Sequence, residues 1–146
     1  MWGGRQIKVY VGGGAAGAAQ SLASGATIHT FTMGQRCRPL AAGIVITTQC
    51  TVTPPVINFT SGGGSTGDCG KITVPIAKAV GQGIFEKTDY NVVGTGRWVA
   101  TLRRGQQVAV VVATPATAGE GIPIFVVEED PDVFENEATY WTATSN

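Results

Sequence analysis

The feature that most constrains the fold is a long run of small and β-branched residues, bounded by turn residues, in the C-terminal half. Residues 97–128 read RWVATLRRGQQVAVVVATPATAGEGIPIFVVE. Within them, residues 106–114 carry valine at the alternating positions 108, 110 and 112, which is typical of a strand that crosses a sheet. A turn at 104–105 opens this run, and a loop at 118–121 separates it from a second apolar run at 122–127. The pattern predicts an antiparallel pair inside an all-β domain, with both faces of the first strand covered.

The composition supports short strands joined by many turns. Glycine (21 residues) and proline (7 residues) together make up about 19% of the 146 residues, against an average near 12%. Charged residues make up 14%, well below the usual ~25%. A surface with so little charge is typical of a subunit that is covered by neighbours. At 43% apolar residues the chain is long enough for one domain with a core.

Ten segments between breakers have the composition of strands. They are residues 5–11, 26–32, 43–53, 56–60, 71–76, 83–87, 89–93, 97–102, 106–114 and 122–128. Residues 14–24, rich in alanine, are the candidate for a short helix. The sequence predicts an antiparallel β-sandwich of jelly-roll type, with an immunoglobulin-like sandwich as the alternative. A flexible, glycine-rich N-terminal arm over residues 1–25 would precede a sandwich domain over residues 26–146 that ends in an acidic tail.

The cysteines and the ends of the chain bear on its cellular compartment. Cys37, Cys50 and Cys69 cannot all pair within one chain, and their spacing fits no CxxC metal site. We expect buried free thiols in a reducing compartment, with a disulfide from Cys50 to Cys37 or to Cys69 as the alternative. No stretch reaches the ~20 apolar residues of a membrane span, and the N-terminus lacks the pattern of a secretory signal. These features predict a soluble protein made in the cytosol, with no membrane partner.

Charge is segregated along the chain although the net charge is zero. The first 67 residues contain four basic residues and no acid, whereas most acids lie between Glu120 and Glu137. The acidic stretch is either a solvated tail or one half of an electrostatic contact between subunits. The basic residues are too sparse for a nucleic-acid-binding face, so we expect no direct nucleic-acid partner.

A glycine motif follows the first predicted strand. Gly12, Gly14 and Gly17 match the GxGxxG pattern of a dinucleotide-binding turn. That site also needs an acid about 20 residues further on to bind the ribose, but the first acid in this chain is Asp68. The sequence therefore favours a flexible connection and predicts no cofactor, and a nucleotide-binding enzyme domain remains the less favoured alternative.

Catalytic and metal-binding patterns are sparse. His29, the single histidine, lies on an alternating strand, where an ordinary hydrogen bond is the expectation. The acidic cluster lacks the spaced DxDxDG loop of a calcium site. Its members are Glu128, Glu129, Asp130 and Asp132. We therefore predict no catalytic residues and no metal site, and expect a protein that is not an enzyme.

The C-terminal half, from GKITVPIAKAV through the valine-rich strand to VVEEDPDVFENEA, resembles the head decoration (capsid cement) proteins of tailed bacteriophages. The resemblance covers roughly residues 70–140. It implies a small β-sandwich, commonly a homotrimer, that binds the outer surface of an icosahedral capsid and bridges neighbouring major capsid protein subunits. It also implies a place in the virion, after assembly in the host cytoplasm.

Within this interpretation, we expect capsid and subunit contacts at aromatic and basic residues of the arm and the tail. They are Trp2, Arg5, Lys8, Phe134, Tyr140 and Trp141. The alternative is a carbohydrate-binding or adhesin-type β-sandwich module, which would need exposed aromatic side chains in a concave patch.

Overall fold

A computed structural model describes residues 6–13, 18–61, 67–87 and 101–129. This part of the chain contains nine β-strands and no helix. The strands are β1 (Gln6–Val11), β2 (Gln20–Ser21), β3 (Thr27–Thr32), β4 (Cys37–Thr51), β5 (Val56–Ser61), β6 (Gly70–Thr73), β7 (Gly83–Lys87), β8 (Gln107–Thr114) and β9 (Ala118–Glu129).

The strands form two antiparallel sheets. Sheet A has the order β1-β9-β4-β7, with β2 also paired to β9. Sheet B has the order β3-β8-β5-β6. Without the two-residue β2, each sheet has four strands, and most consecutive strands lie in opposite sheets, which is the architecture of a jelly roll. The prediction of an antiparallel, jelly-roll-like β-sandwich is confirmed.

The core lies between the two sheets, where alternate residues of each strand meet. In β8, Val108, Val110 and Val112 are all buried. Phe125 of sheet A stacks on Phe31 and Phe59 of sheet B, with ring centroids 6.0 and 5.8 Å apart. Aromatic rings at this spacing add to the burial of apolar area, so the stack is the centre of the contact between the sheets.

The predicted pairing of the two longest apolar runs is wrong. β8 pairs with β3 and β5 in sheet B, whereas β9 pairs with β1, β2 and β4 in sheet A. The chain crosses between the sheets after β8, so the two strands contribute their buried faces to opposite sides of the core. The expectation that both faces of β8 are covered is also wrong, since Ala113 is exposed and Val111 is half-buried.

The predicted loop at 118–121 is the first part of β9. Its two glycines mark places where β9 passes close to β4. A Cβ on Gly119, whose φ is 147°, would lie 2.7 Å from the Cys50 sulfur, and a Cβ on Gly121 would lie 2.8 Å from Cγ1 of Ile44. Glycine therefore allows a close approach of two strands here and does not break the strand.

The N-terminal residues also differ from the expected arm. β1 pairs with β9 along all six of its residues. Tyr10 accepts a hydrogen bond from the Gly34 amide (2.9 Å), and its ring meets Phe31 edge-on at 6.0 Å. Residues 6–13 therefore belong to the sandwich. Within the predicted helix, residues 20–21 form β2, because they continue the pairing along β9.

Several predictions fall on residues that the structure does not describe. The predicted strand at 89–93, most of that at 97–102, the acidic tail from residue 130 and the arm before residue 6 lie outside the described ranges. Leu102, the last residue of the predicted strand at 97–102, is buried and forms an isolated bridge with Cys37.

Candidate interaction surface

The outer face of sheet A, which points away from sheet B, is apolar across all four of its main strands. On β1, Ile7, Val9 and Val11 lie on this face with exposed fractions of 60%, 53% and 51%. Register with β9 places Val126 beside Val9 and Ile124 beside Val11. Residues directly opposite each other in a sheet share a face, so the apolar surface continues from β1 onto β9.

The surface continues across the two remaining strands. On β4, Ala41 and Val45 lie beside Val126 and Ile122 of β9, and both are half-buried. Gly43 lies between them and pairs with Phe85 of β7. We call this set the outer face of sheet A. Its members are Ile7, Val9, Val11, Ala41, Gly43, Val45, Phe85, Ile122, Ile124 and Val126.

Two glycines shape the surface around Phe85. The Phe85 side chain is 51% exposed. Its ring covers Gly43, where a Cβ would overlap ring carbon Cδ1, and it approaches Gly83, where a Cβ would lie 2.7 Å from Cε2. Because both positions lack a side chain, the ring lies down on the sheet. The outer face therefore stays flat at its one exposed aromatic side chain among the described residues.

Charged residues lie around the rim of the outer face. Arg38 of β4 and Glu128 of β9 are opposite each other in the register, and their side chains form an ion pair. Glu128 also lies beside Ile7 of β1. An ion pair at a rim contributes more to the choice of partner and its orientation than to affinity. By register, Lys87 of β7 and Glu120 of β9 also lie at its edges, so the centre of the face is aliphatic and aromatic and its rim is charged.

The sequence-predicted contact residues lie elsewhere. Lys8 is on β1 but points to the opposite side from Ile7 and Val9, with its Nζ 4.9 Å from the centroid of the Tyr10 ring. The other five candidates lie outside the described residues. They are Trp2, Arg5, Phe134, Tyr140 and Trp141. The sequence signal for the outer face is the alternation of isoleucine and valine along β1, at residues 7, 9 and 11.

In the described part of the glycine motif, the backbone amides form hydrogen bonds within the fold. Gly12 donates its amide to the Pro123 carbonyl (2.8 Å), and Gly13 donates to Nδ1 of His29 (3.2 Å). The Gly13 carbonyl accepts from Ala18, which closes the connection to β2. Backbone amides that bind the protein's own acceptors cannot also bind a pyrophosphate. Gly14 and Gly17 lie outside the described residues.

His29 is held by this same connection. Its Nδ1 accepts the Gly13 amide, so the neutral ring with the proton on Nε2 fits this hydrogen bond. Burial lowers the pKa of His29 below its usual value. The ring also packs edge-on against Phe31, with centroids 4.6 Å apart. His29 thus links the glycine connection to the aromatic core, which agrees with the ordinary hydrogen bond that the sequence predicts.

All three cysteines are buried and free, as predicted. Burial, followed by the nearby Glu129 carboxylate, raises the pKa of the Cys37 thiol to about 12. Burial also raises the pKa of Cys50 and, with Asp68, that of Cys69. A thiol with a raised pKa is a poor nucleophile and a poor metal ligand, because both roles need the thiolate.

The described residues contain no group of three or more histidine, cysteine, aspartate or glutamate side chains placed to hold a metal ion. Of the predicted acidic cluster, Glu128 pairs with Arg38, and Glu129 is buried. Asp130 and Asp132 lie outside the described ranges. Among the described residues, no helix is long and apolar enough to span a bilayer.

Comparisons with known proteins give no family for the chain. No protein-family model matches it, and no curated protein matches it. Among solved structures, it is similar to a chain from a study of Bacillus endospore appendages, which form a novel family of disulfide-linked pili. The identity is 20%, the match covers 86% of this chain and 88% of that chain, and the TM-score is 0.42. Values this low do not assign the chain to that family.

Proposed function

We propose that the protein is a non-enzymatic structural protein that binds the outer surface of an icosahedral phage capsid and bridges neighbouring major capsid protein subunits. The observation that carries the structural role is the outer face of sheet A, an apolar surface suited to contact with another protein chain. Soluble monomers rarely expose a contiguous apolar patch larger than a few hundred Å², and such patches are typical of protein contacts. The capsid as the assembly comes from the resemblance of residues 70–140 to head decoration proteins.

The chemistry of the described residues supports a structural role. The single histidine uses Nδ1 to accept a backbone amide, and the buried thiols of Cys37 and Cys69 have raised pKa values. General bases and nucleophiles need pKa values near the working pH and access to substrate. These side chains instead stabilise the sandwich.

The mechanism follows from linkage between binding and assembly. A protein that binds the closed lattice, but not the separated subunits, stabilises the lattice by mass action, because its binding free energy must be lost before the subunits part. Several weak contacts made by one oligomer add through avidity. Apolar contacts of modest area are sufficient for this role, since no single contact has to be strong.

The proposal is tested on particles of the phage that encodes the chain, made with and without its gene. Cryo-electron microscopy should show an added density of sandwich size at regular lattice positions in the first sample only. Particles without the protein should release DNA at a lower temperature, and adding purified protein should restore the original temperature. Identical maps and identical release temperatures would refute a capsid role.

A further inference from the structure

We infer that the outer face of sheet A packs against the same face of a second copy of this chain, so that two sheets A lie face to face across a two-fold axis. This inference rests on the proposed structural role: it assigns the outer face to the contact between copies of the chain and leaves capsid binding to other surfaces. It concerns the described strands β1, β4, β7 and β9 alone.

The chemistry of the face restricts the partner. Between β1 and β7 the central side chains are aliphatic or, at Phe85, aromatic. Charged residues lie at the edges of the face, namely the ion pair of Arg38 and Glu128 at one end and, by register, Lys87 on β7. Nucleic acids would need a basic surface, and sugars need hydrogen-bonding side chains beside an aromatic platform. A partner that gains from covering this face must itself present apolar atoms.

The shape of the face restricts the partner further. The Phe85 ring, the one exposed aromatic side chain among the described residues, lies on Gly43 and Gly83 and so lies along the sheet. Apolar sheet faces commonly pack on one another about 10 Å apart, and sheets A and B of this chain pack face to face through Phe31, Phe59 and Phe125. A second copy of the chain presents the same apolar sheet face. In a dimer with a two-fold axis, both copies use this one patch for the contact.

The footprint sets the expected strength. Strands about 4.8 Å apart with about 3.4 Å per residue give roughly 400 Å² of flat sheet for four strands over about six residues. The area buried on the two copies together is then roughly 800 Å², if the sheet faces are treated as flat. Stable complexes bury about 1,200–2,000 Å². We therefore expect a dissociation constant at the weak, roughly micromolar end.

A two-fold contact differs from the trimer that the phage resemblance implies. Face-to-face packing uses one patch on both copies, whereas a three-fold ring needs two different patches on each copy. The mass of the assembly separates the two cases, because a dimer of this 15.0 kDa chain sediments at twice that mass and a trimer at three times.

The first experiment is sedimentation equilibrium of the full chain from roughly 1 to 200 µM. Val9→Lys places a charge near the middle of β1, and Val80→Lys is the matched control, since Val80 is 62% exposed on the β6–β7 connection. We expect wild type and Val80→Lys to dimerise and Val9→Lys to dimerise at least about tenfold more weakly, because symmetry buries two unpaired ammonium groups. Equal dimerisation of both variants would overturn the inference.

The second experiment locates the contact. Ile124 lies on β9, one of the two middle strands, and is therefore near the centre of the proposed contact. The two-fold axis runs through this centre between the two sheets, so it passes near Ile124 whether it runs along the strands or across them. Facing Cα atoms would be roughly 10 Å apart, too far for a disulfide but within reach of a short bis-maleimide. Ile124→Cys should give a cross-linked dimer, and Val80→Cys should not. Cross-linking of both to the same extent, or of neither, would overturn the face-to-face arrangement.

Other occupants of the face give different results. If the wild type stays monomeric at 200 µM while Val9→Lys lowers occupancy on particles, the capsid protein covers the face directly; the inference then fails and the proposed function stands. If the wild type is monomeric and Val9→Lys unfolds at a lower temperature than Val80→Lys, another part of the same chain covers the face, which also overturns the inference. If the wild type dimerises in solution but does not bind particles, the inference stands and the proposed capsid role fails.

Discussion

Replacing Tyr10 tests whether the N-terminal segment is part of the cooperative sandwich or an arm attached to it. Two contacts tie this residue to the rest of the molecule, and a third lies within its own strand. Its hydroxyl accepts the Gly34 amide at 2.9 Å, its ring meets Phe31 edge-on at 6.0 Å, and the Lys8 ammonium lies 4.9 Å above the ring. The contacts with Gly34 and Phe31 would be absent from a flexible arm.

The contacts can be removed in two steps. Tyr10→Phe removes only the hydrogen bond to the Gly34 amide, which water can still reach, so we expect a loss of about 0.7 kcal/mol. Tyr10→Ala also removes the aromatic pair, about 0.5–1 kcal/mol, and the cation–π contact, about 0.5 kcal/mol. The total is at least about 2 kcal/mol, because the apolar area that Tyr10 buries against the core is lost as well. With an m-value of about 1.5 kcal/mol per M, the urea midpoint falls by about 0.5 M and about 1.3 M.

The assay is equilibrium unfolding in urea, followed by fluorescence and by far-ultraviolet circular dichroism so that two-state behaviour is checked. Tyr10→Phe serves as the internal control, because its ring still packs on Phe31. If Tyr10→Ala shifts the midpoint by less than about 0.3 M, β1 is not part of the unit that unfolds, and the arm predicted from the sequence would be the better description. A large shift for Tyr10→Phe alone would contradict the assumption that the Gly34 amide is hydrated in the variant.

Two further predictions concern titratable groups. Burial lowers the pKa of His29, so the unfolded chain binds a proton at a higher pH than the folded chain. The stabilisation by neutral His29 should therefore be fully present above about pH 6.5 and be lost as the pH falls through the folded pKa. His29→Asn, which keeps an acceptor for the Gly13 amide, should remove this component, and an unchanged difference between wild type and variant at pH 7.5 and pH 5 would contradict it. Burial raises the pKa of the Cys37, Cys50 and Cys69 thiols, so the native protein should react slowly with a disulfide reagent at pH 8. In urea, all three thiols of each chain should react. One fast-reacting thiol in the native state would refute the burial.

The sequence was sufficient for the location of most strands. The segment at 83–87 has the bounds of β7, and the valine run at 106–114 differs from β8 by one residue. β-branched residues between breakers carry this signal, because the strand conformation is a local property. Which strands become neighbours is not local. The short link from β8 to β9 is compatible both with a hairpin and with a crossing between sheets, and the crossing is what the chain adopts.

Glycine was the main source of wrong boundaries. Gly119 and Gly121 in β9 have the composition of a loop, yet both lie in a strand that approaches Cys50 and Ile44 of β4. A glycine in a turn and a glycine at a close approach of two strands look the same in a single sequence. They differ only in what lies next to the missing side chain, which depends on residues about 70 positions away.

The outer face of sheet A was not predicted from the sequence, for a related reason. In β9, apolar residues occupy both alternating sets from Ile122 to Val127, which is the pattern of a strand buried on both faces. Only one of the sets faces sheet B, and the other is half-buried between β1 and β4. A strand with two apolar faces in a two-layer sandwich needs cover on its second side. Since Phe85 lies flat on Gly43 and Gly83, the glycine content that suggested turns also shapes a surface on which another sheet can pack.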